Sequence, residues 1–268
     1  MKLIFIRHGD PNYNYQEGDP KGTYQSITEA GHREAKALAD HIEAYHPDEI
    51  YVSPLGRAQE TAGYSLEKLG MEATTLDWLR EFPVHVDPNL SEEVQEAFRT
   101  ELEQKDDGTY KTRIPWDMLP SYWTEHPEYM DLEGWRESVI AKCSDMIPVH
   151  DHIIEEFDRL LADHGYERER YHYKVRKSNG KTLVFFCHFG LTCILLAHLW
   201  NVSPFIVLQN VAAAPTSVTV FASEEREHGL AAFRTLRVGD ISHLSLAGLE
   251  PSFSARFCER YENKDERH

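Results

Sequence analysis

Two segments of this chain place a histidine where an apolar run stops and a glycine follows close behind. Leu3-Ile4-Phe5-Ile6 runs into Arg7-His8-Gly9, and the run from Thr182 to Cys187 ends in His188-Phe189-Gly190. A histidine at the carboxyl end of a strand, with a glycine beside it, leaves room for a ligand to approach. Arg7 adds a permanent planar cation whose fork of donors suits phosphate oxygens. The chemistry suggested is recognition of a phosphate group at a histidine. The plain alternative is a strand-end His and Arg making ordinary hydrogen bonds.

Other chemistries fail on spacing. A cysteine phosphatase needs Cys-x5-Arg, but the corresponding position after Cys187 is Cys193, and after Cys193 it is Leu199. Cys143, Cys187, Cys193 and Cys258 are too few and too spread for a disulfide framework. They form no CxxC pair, so no structural zinc site is expected. Cys187 reads as a small buried residue on a strand. His150-Asp151-His152 has the look of a metal pair, but on a helix the two histidines point to different sides, which predicts a solvated face. Gly165 and its neighbours make no phosphate-binding glycine loop.

The elements that must position the two histidines follow from periodicity. Leu3–Ile6 reads as a buried strand, and the Gly-, Pro- and Asn-bearing stretch from Asp10 to Ser26 as a long loop. Thr28 offers an N-cap. Ala35, Leu38, Ala39 and Ile42 then recur at helical spacing, predicting a helix to about Tyr45. Glu49 to Val52 reads as a second strand, Leu55 to Leu69 as a helix opened by Ser53-Pro54, and Ala73 to Asp77 as a third, short strand. Asn179-Gly180 lies between Tyr171–Val175 and Thr182–Cys187, a pattern that predicts a hairpin. Gly190 to Trp200 reads as a buried helix, with two more strands at Ser217–Phe221 and Ala231–Val238 and a frayed, charged tail from Glu259. This order predicts an α/β fold, three-layered, with a mostly parallel central sheet and helices on both faces. From about 83 to 170 the alternation lapses into two helical patterns, near 91–104 and 133–163, with Trp116, Trp123 and Trp135 among them. That stretch reads as a largely helical cap inserted in a single domain spanning 1–268.

The composition is globular: 268 residues, 41% hydrophobic and 27% charged. With 28 Lys plus Arg against 45 Asp plus Glu, the net charge is −17. No basic block exists to release counterions from a nucleic acid, and the sign disfavours an anionic membrane. The first apolar run stops at Arg7, too short for a signal-peptide core, and no run approaches a bilayer span. A cytoplasmic protein is expected, with no nucleic-acid or membrane partner; oligomeric assembly is left open.

Taken in order, the motifs resemble the histidine phosphatase superfamily, the phosphoglycerate-mutase-like proteins. Arg7-His8-Gly9 resembles the family signature at the end of the first strand. Ser26-Ile27-Thr28-Glu29-Ala30-Gly31-His32-Arg33-Glu34-Ala35 is similar to its Leu-Thr-x-x-Gly-x-x-Gln-Ala helix start. Ser53-Pro54-Leu55-Gly56-Arg57-Ala58-Gln59-Glu60-Thr61-Ala62 resembles Ser-x-x-x-Arg-Ala-x-x-Thr-Ala, and Leu79-Arg80-Glu81 resembles Leu-x-Glu. Phe185-Phe186-Cys187-His188 resembles the strand with the second histidine, and Asp240-Ile241-Ser242-His243-Leu244 the late Asp-x-x-His-Leu turn. The likeness covers the first ~80 residues and the last third of the chain, not the insertion.

The resemblance implies that His8 is the nucleophile of a phosphohistidine mechanism and that Arg7, Arg57 and His188 surround the phosphoryl oxygens. Glu81 would protonate the leaving oxygen and then activate water, a task suited to a carboxyl group of raised pKa. Glu60 and Asp77 are nearby rivals that do not match the pattern. An arginine near a helix start opposes the macrodipole, so Arg57 is better explained by an anionic partner than by chance. No metal or cofactor is implied. The usual glycine after the second histidine is replaced by Phe189. A Ser-x-Trp-Asn stretch after Asp10 and a basic, proline-rich segment, both features of true phosphoglycerate mutases, are missing, and His188-Phe189 departs from the His-Asp of phytase-like members. The expectation is a metal-independent phosphomonoesterase acting on a small phosphorylated metabolite. A phosphoglycerate-type mutase and a non-catalytic phosphate-binding or interaction protein are the alternatives. Aromatics of the insertion, and its basic residues Arg99, Lys105, Lys111 and Arg113, are candidates for substrate choice.

Overall fold

The computed structural model of the chain describes residues 1–12, 25–252, 258–260 and 262–267. Most of the loop expected over Asp10–Ser26 lies outside the described residues; within them, Pro11 bridges Ile27. Two compact units form: Met1–Glu81 with Leu161–Thr192 and Ala212–His268, and Phe82–Leu160 with Cys193–Val211.

The first unit is built on one mixed sheet. Its strands are β1 (Lys2–Arg7), β2 (Glu49–Val52), β3 (Thr74–Thr75), β4 (Tyr166–Glu169), β5 (His172–Val175), β6 (Thr182–Cys187), β7 (Val218–Glu227) and β8 (Leu230–Asp240). They lie in the order β3-β2-β6-β1-β7-β8-β5-β4. From β3 to β1 the neighbours are parallel; from β1 to β4 they are antiparallel. The class is α/β, with β6 and β1 side by side at the parallel centre.

All six residues of β6 are buried, which is why it reads as an unbroken apolar run. Side chains alternate between the faces. Ile4, Ile6, Ile50, Val52, Val184, Phe186, Val218 and Val220 pack with Leu38, Ile42, Ala58 and Ala62. Those four belong to helix α1 (Glu29–Ala39), the turn after it, and helix α2 (Gly56–Leu69). Phe185 on the opposite face stacks on Phe5 at 5.1 Å and on Tyr51 at 5.2 Å. Burying each such side chain contributes roughly 1.5–3 kcal/mol.

The Thr28 hydroxyl caps α1 by accepting from the Gly31 N–H at 3.1 Å, as expected. The helix stops at Ala39, short of Tyr45. Residues Ile42–Tyr45 tighten into a 3₁₀ turn that still delivers Ile42 to the core. The expected third strand shrinks to Thr74–Thr75, because Asp77–Leu79 turns into a 3₁₀ segment.

The hairpin expected across Asn179-Gly180 does not form. β5 pairs instead with β4, through a turn where Arg170 has φ 56°, and with β8. A wholly apolar strand is better buried at the sheet centre than in an edge hairpin, and β6 takes that place between β1 and β2. Asn179 serves the linker: its amide donates to the His164 carbonyl at 2.8 Å and its carbonyl oxygen accepts from Lys181 N–H at 3.1 Å. The true long hairpin is β7–β8, which turns at Gly229 with φ 80°. The tail expected to fray holds two paired antiparallel strands, β9 (Cys258–Arg260) and β10 (Asn263–Arg267).

The second unit contains α3 (Glu92–Phe98), capped by the Ser91 hydroxyl, then α4 (Pro120–Trp123) and α5 (Val139–Lys142), with 3₁₀ turns at Pro115–Asp117, Pro127–Met130 and Gly134–Glu137. Helices α6 (Met146–Asp163) and α7 (Phe189–Trp200) follow, and α8 (Pro204–Asn210) and α9 (Ser242–Leu246) are short. In the second unit Tyr129 and Trp135 pack on Phe205 with centroids at 4.8 and 6.2 Å. His150 corrects the solvated-face reading. Its ring lies 4.9 Å from Trp135, it donates through Nδ1 to Asp151 at 2.9 Å, and its side chain is 13% exposed. Of the insertion's candidate cations, Arg99 pairs with Glu96, Lys111 with Glu103 and Arg113 with Asp117. Among the described residues no helix is long and apolar enough to cross a membrane.

Candidate active site

The parallel register of β1 and β6 sets Arg7 opposite Cys187, so His8 and His188 emerge together at the carboxyl ends. The His8 N–H donates to the Cys187 carbonyl at 3.0 Å, and the two rings lie with centroids 5.1 Å apart, tilted by 55°. Both histidines are buried. One nitrogen of each and a carboxylate oxygen of Glu81 lie within 4.8 Å of one another.

The His8 Nδ1 lies 2.7 Å from the Gly9 carbonyl oxygen, which can only accept. Nδ1 therefore carries the proton, and the Nε2 lone pair is left for chemistry. Burial, followed by the charges of Arg57 and Arg7, holds the His8 pKa well below the usual imidazole range, although the Gly9 bond opposes this. His8 is thus neutral near pH 7.

His188 is fixed by Ser53. The Ser53 hydroxyl oxygen accepts from Leu55 N–H at 3.2 Å, and its own proton is placed to reach the His188 Nε2 at 2.7 Å. That assignment leaves the proton of His188 on Nδ1, which is buried and has no hydrogen-bond partner among the described residues. It is a donor waiting for an acceptor. Burial, then the charge of Arg57, the prospect of a second proton on neighbouring His8 and the charge of Arg7 hold its pKa well below the usual imidazole range as well.

Arg57, 8% exposed, is the second residue of α2 and donates to the Gln25 side-chain oxygen at 3.2 Å. Arg7 donates through Nη1 to the Ala213 carbonyl, and its guanidinium lies over the Phe189 ring at 5.5 Å. Glu81 accepts from the Leu191 N–H of α7 at 3.2 Å. The five residues singled out by motif are therefore brought to one place. Two histidines and a carboxylate are a conceivable cation-binding set. Yet the field of Arg7 and Arg57, felt in both imidazole pKa values, favours an anion at the centre.

Supporting residues escape a motif reading. Thr61 accepts from the Gly9 N–H at 2.9 Å and donates to the Arg57 carbonyl at 2.7 Å, tying the segments that carry His8 and Arg57 together. The Thr216 N–H donates to the Arg7 and His8 carbonyls at 3.1 and 3.2 Å. Thr216 has φ 58°, a strained setting for a β-branched residue. Its hydroxyl donates to the Pro215 carbonyl at 2.7 Å and accepts from His243 Nε2 at 3.0 Å. Ser53, Thr61 and His243 stand in the motifs as letters without roles. Gln25, Ala213 and Thr216 carry no signal in the sequence.

Comparison with known proteins follows the same lines. Residues 3–127 match the histidine phosphatase superfamily (branch 1). Phosphoserine phosphatase 1 of Hydrogenobacter thermophilus is 28% identical over 140 residues, 50% of this chain and 56% of the relative. A probable phosphoglycerate mutase of Cronobacter sakazakii is 31% identical over 121 residues, 43% of this chain and 54% of the relative. The chain thus spans about half the length of these curated relatives. The solved structure of a mycobacterial glucosyl-3-phosphoglycerate phosphatase with inorganic phosphate shares the fold, with a TM-score of 0.53, 17% identity, and coverage of 90% of this chain and 98% of that one. The match to the histidine phosphatase superfamily thus covers residues 3–127, and the likeness to the solved phosphatase structure extends the shared fold over 90% of the chain.

Proposed function

We propose that the protein is a phosphomonoesterase that works through a phosphohistidine at His8 on a small phosphorylated metabolite. The observation that carries this reading is a neutral His8, pinned through Nδ1, with its ring beside His188 and in the field of Arg57 and Arg7. The Nε2 lone pair attacks phosphorus and the P–O ester bond breaks. Glu81 gives its proton to the departing oxygen. The Glu81 carboxylate then takes a proton from water, whose oxygen attacks phosphorus as the P–N bond breaks, releasing phosphate. Arg7, Arg57 and the Nδ1–H of His188 stabilise the charge on the three non-bridging oxygens throughout. Direct water attack is favoured over return to a bound intermediate because the Ser-x-Trp-Asn stretch and the basic, proline-rich segment typical of phosphoglycerate mutases are missing from the sequence.

Hydrolysis of an aryl phosphate in EDTA tests the proposal. The wild type turns over, His8→Ala does not, and acid quenching traps phosphate on the wild-type chain only. Equal activity in both proteins refutes it. Phosphoglycerate isomerisation that depends on a bisphosphoglycerate would replace it with the mutase reading.

A further inference from the structure

Phe189 stands where the family pattern has glycine, and the site as described assigns it no task. It is the first residue of α7, follows His188 directly and is 6% exposed. Its ring centroid lies 5.5 Å from the Arg7 guanidinium carbon. Arg7 meets the ring face in addition to the Ala213 carbonyl that receives its Nη1 proton. We infer that Phe189 is a positioning residue that holds the Arg7 guanidinium in place for a phosphate group.

An arginine side chain has several rotatable bonds, and fixing them on ligand binding costs entropy. A fork held beforehand by a carbonyl and an aromatic face avoids much of that cost. The negative face of the ring also attracts the cation, most strongly where water is excluded. Glycine at this position would provide neither. Because Phe189 is bonded to His188, one backbone segment sets both the second histidine and the support of the first arginine. This inference goes beyond the proposed catalytic reading and depends on it only for turnover; binding of phosphate does not require hydrolysis.

The test uses inorganic phosphate and isothermal titration calorimetry on the wild type, Phe189→Leu, Phe189→Tyr, Arg7→Gln and the double variant Phe189→Leu/Arg7→Gln. Phe189→Leu should weaken phosphate binding by about two- to thirty-fold, the range expected for a cation–π contact. Phe189→Tyr should stay within about twofold of the wild type. In the Arg7→Gln background Phe189→Leu should cost nothing more, which marks the effect as acting through Arg7. Thermal unfolding confirms that each variant is folded; if Phe189→Leu is not, Phe189→Met replaces it. A wild type that binds no phosphate, an unchanged Phe189→Leu, a tyrosine variant as weak as the leucine one, or an equal loss with and without Arg7 would each overturn the inference. A wild type that binds phosphate with this pattern but hydrolyses no ester would overturn the catalytic proposal alone.

Discussion

His243 offers a quantitative test of how the site is braced. It is 4% exposed, and burial pushes its pKa down to about 4, with Asp240 opposing and His41 assisting that shift. An unfolded histidine titrates near 6.5. As pH falls through that value the unfolded chain takes up a proton that the native His243 refuses, so stability declines from about pH 6.5 down to about pH 4. At ~1.4 kcal/mol per pH unit, the loss from this one group is about 3 kcal/mol. His8 and His188 have depressed pKa values of the same sign and add to the decline. In His243→Gln, the amide can still donate to Thr216, but it cannot titrate. Urea unfolding of both proteins between pH 7.5 and 4.5 isolates the residue, because every other titrating group cancels in the difference. The variant should start less stable at pH 7.5, and the gap should narrow with acidification, by nearly 3 kcal/mol when pH 4 is approached. Parallel curves, or a gap that widens in acid, would refute the reasoning.

Thr61→Val keeps the side-chain shape but leaves the buried Gly9 N–H without its acceptor; it should destabilise by about 1–3 kcal/mol and lower kcat/KM, measured by urea midpoint and aryl phosphate turnover. A Cβ on Gly31 would lie 2.6 Å from the Asp10 carbonyl oxygen, whereas one on Gly63 would meet nothing within 4 Å. Gly31→Ala should therefore lower stability by roughly 1–3 kcal/mol and Gly63→Ala should raise it by about 0.5–1 kcal/mol, in opposite directions on a melting curve. Cys187 is fully buried, and burial pushes its thiol up to about 12. Peptide mapping after iodoacetamide at pH 8 should find native Cys187 untouched while half-buried Cys143 is labelled.

Much of the first unit is legible in the sequence because its strands are written as apolar runs. β2 falls on Glu49–Val52 as expected, and β1 and β6 extend or match their runs by a residue or so. Asn179-Gly180 misleads because a local turn signal competes with burial of β6, and burial wins. The second unit is harder to read. Its turns open on Pro115, Pro120 and Pro127, and segments of three or four residues have no periodicity to detect. At the site, ordered side-chain motifs identify His8, His188, Arg7, Arg57 and Glu81. The braces are illegible for a different reason. Ala213 contributes a carbonyl and Thr216 an N–H, groups that every residue possesses, and only the tertiary fold gives them an address.

The pairing of β1 with β6 has a consequence for how the protein is made. About two-thirds of the chain separates His8 from His188, yet they meet one residue past a shared ladder. Closing so long a loop is entropically costly and slow compared with local helix formation. During synthesis the first histidine, both arginines and the carboxylate emerge well before the strand that completes them. A nascent or truncated chain lacking β6 would hold these cations with no second imidazole beside them. Recovery of the proposed aryl phosphate turnover on refolding should consequently trail recovery of helical circular dichroism, reporting when the β1–β6 ladder has formed.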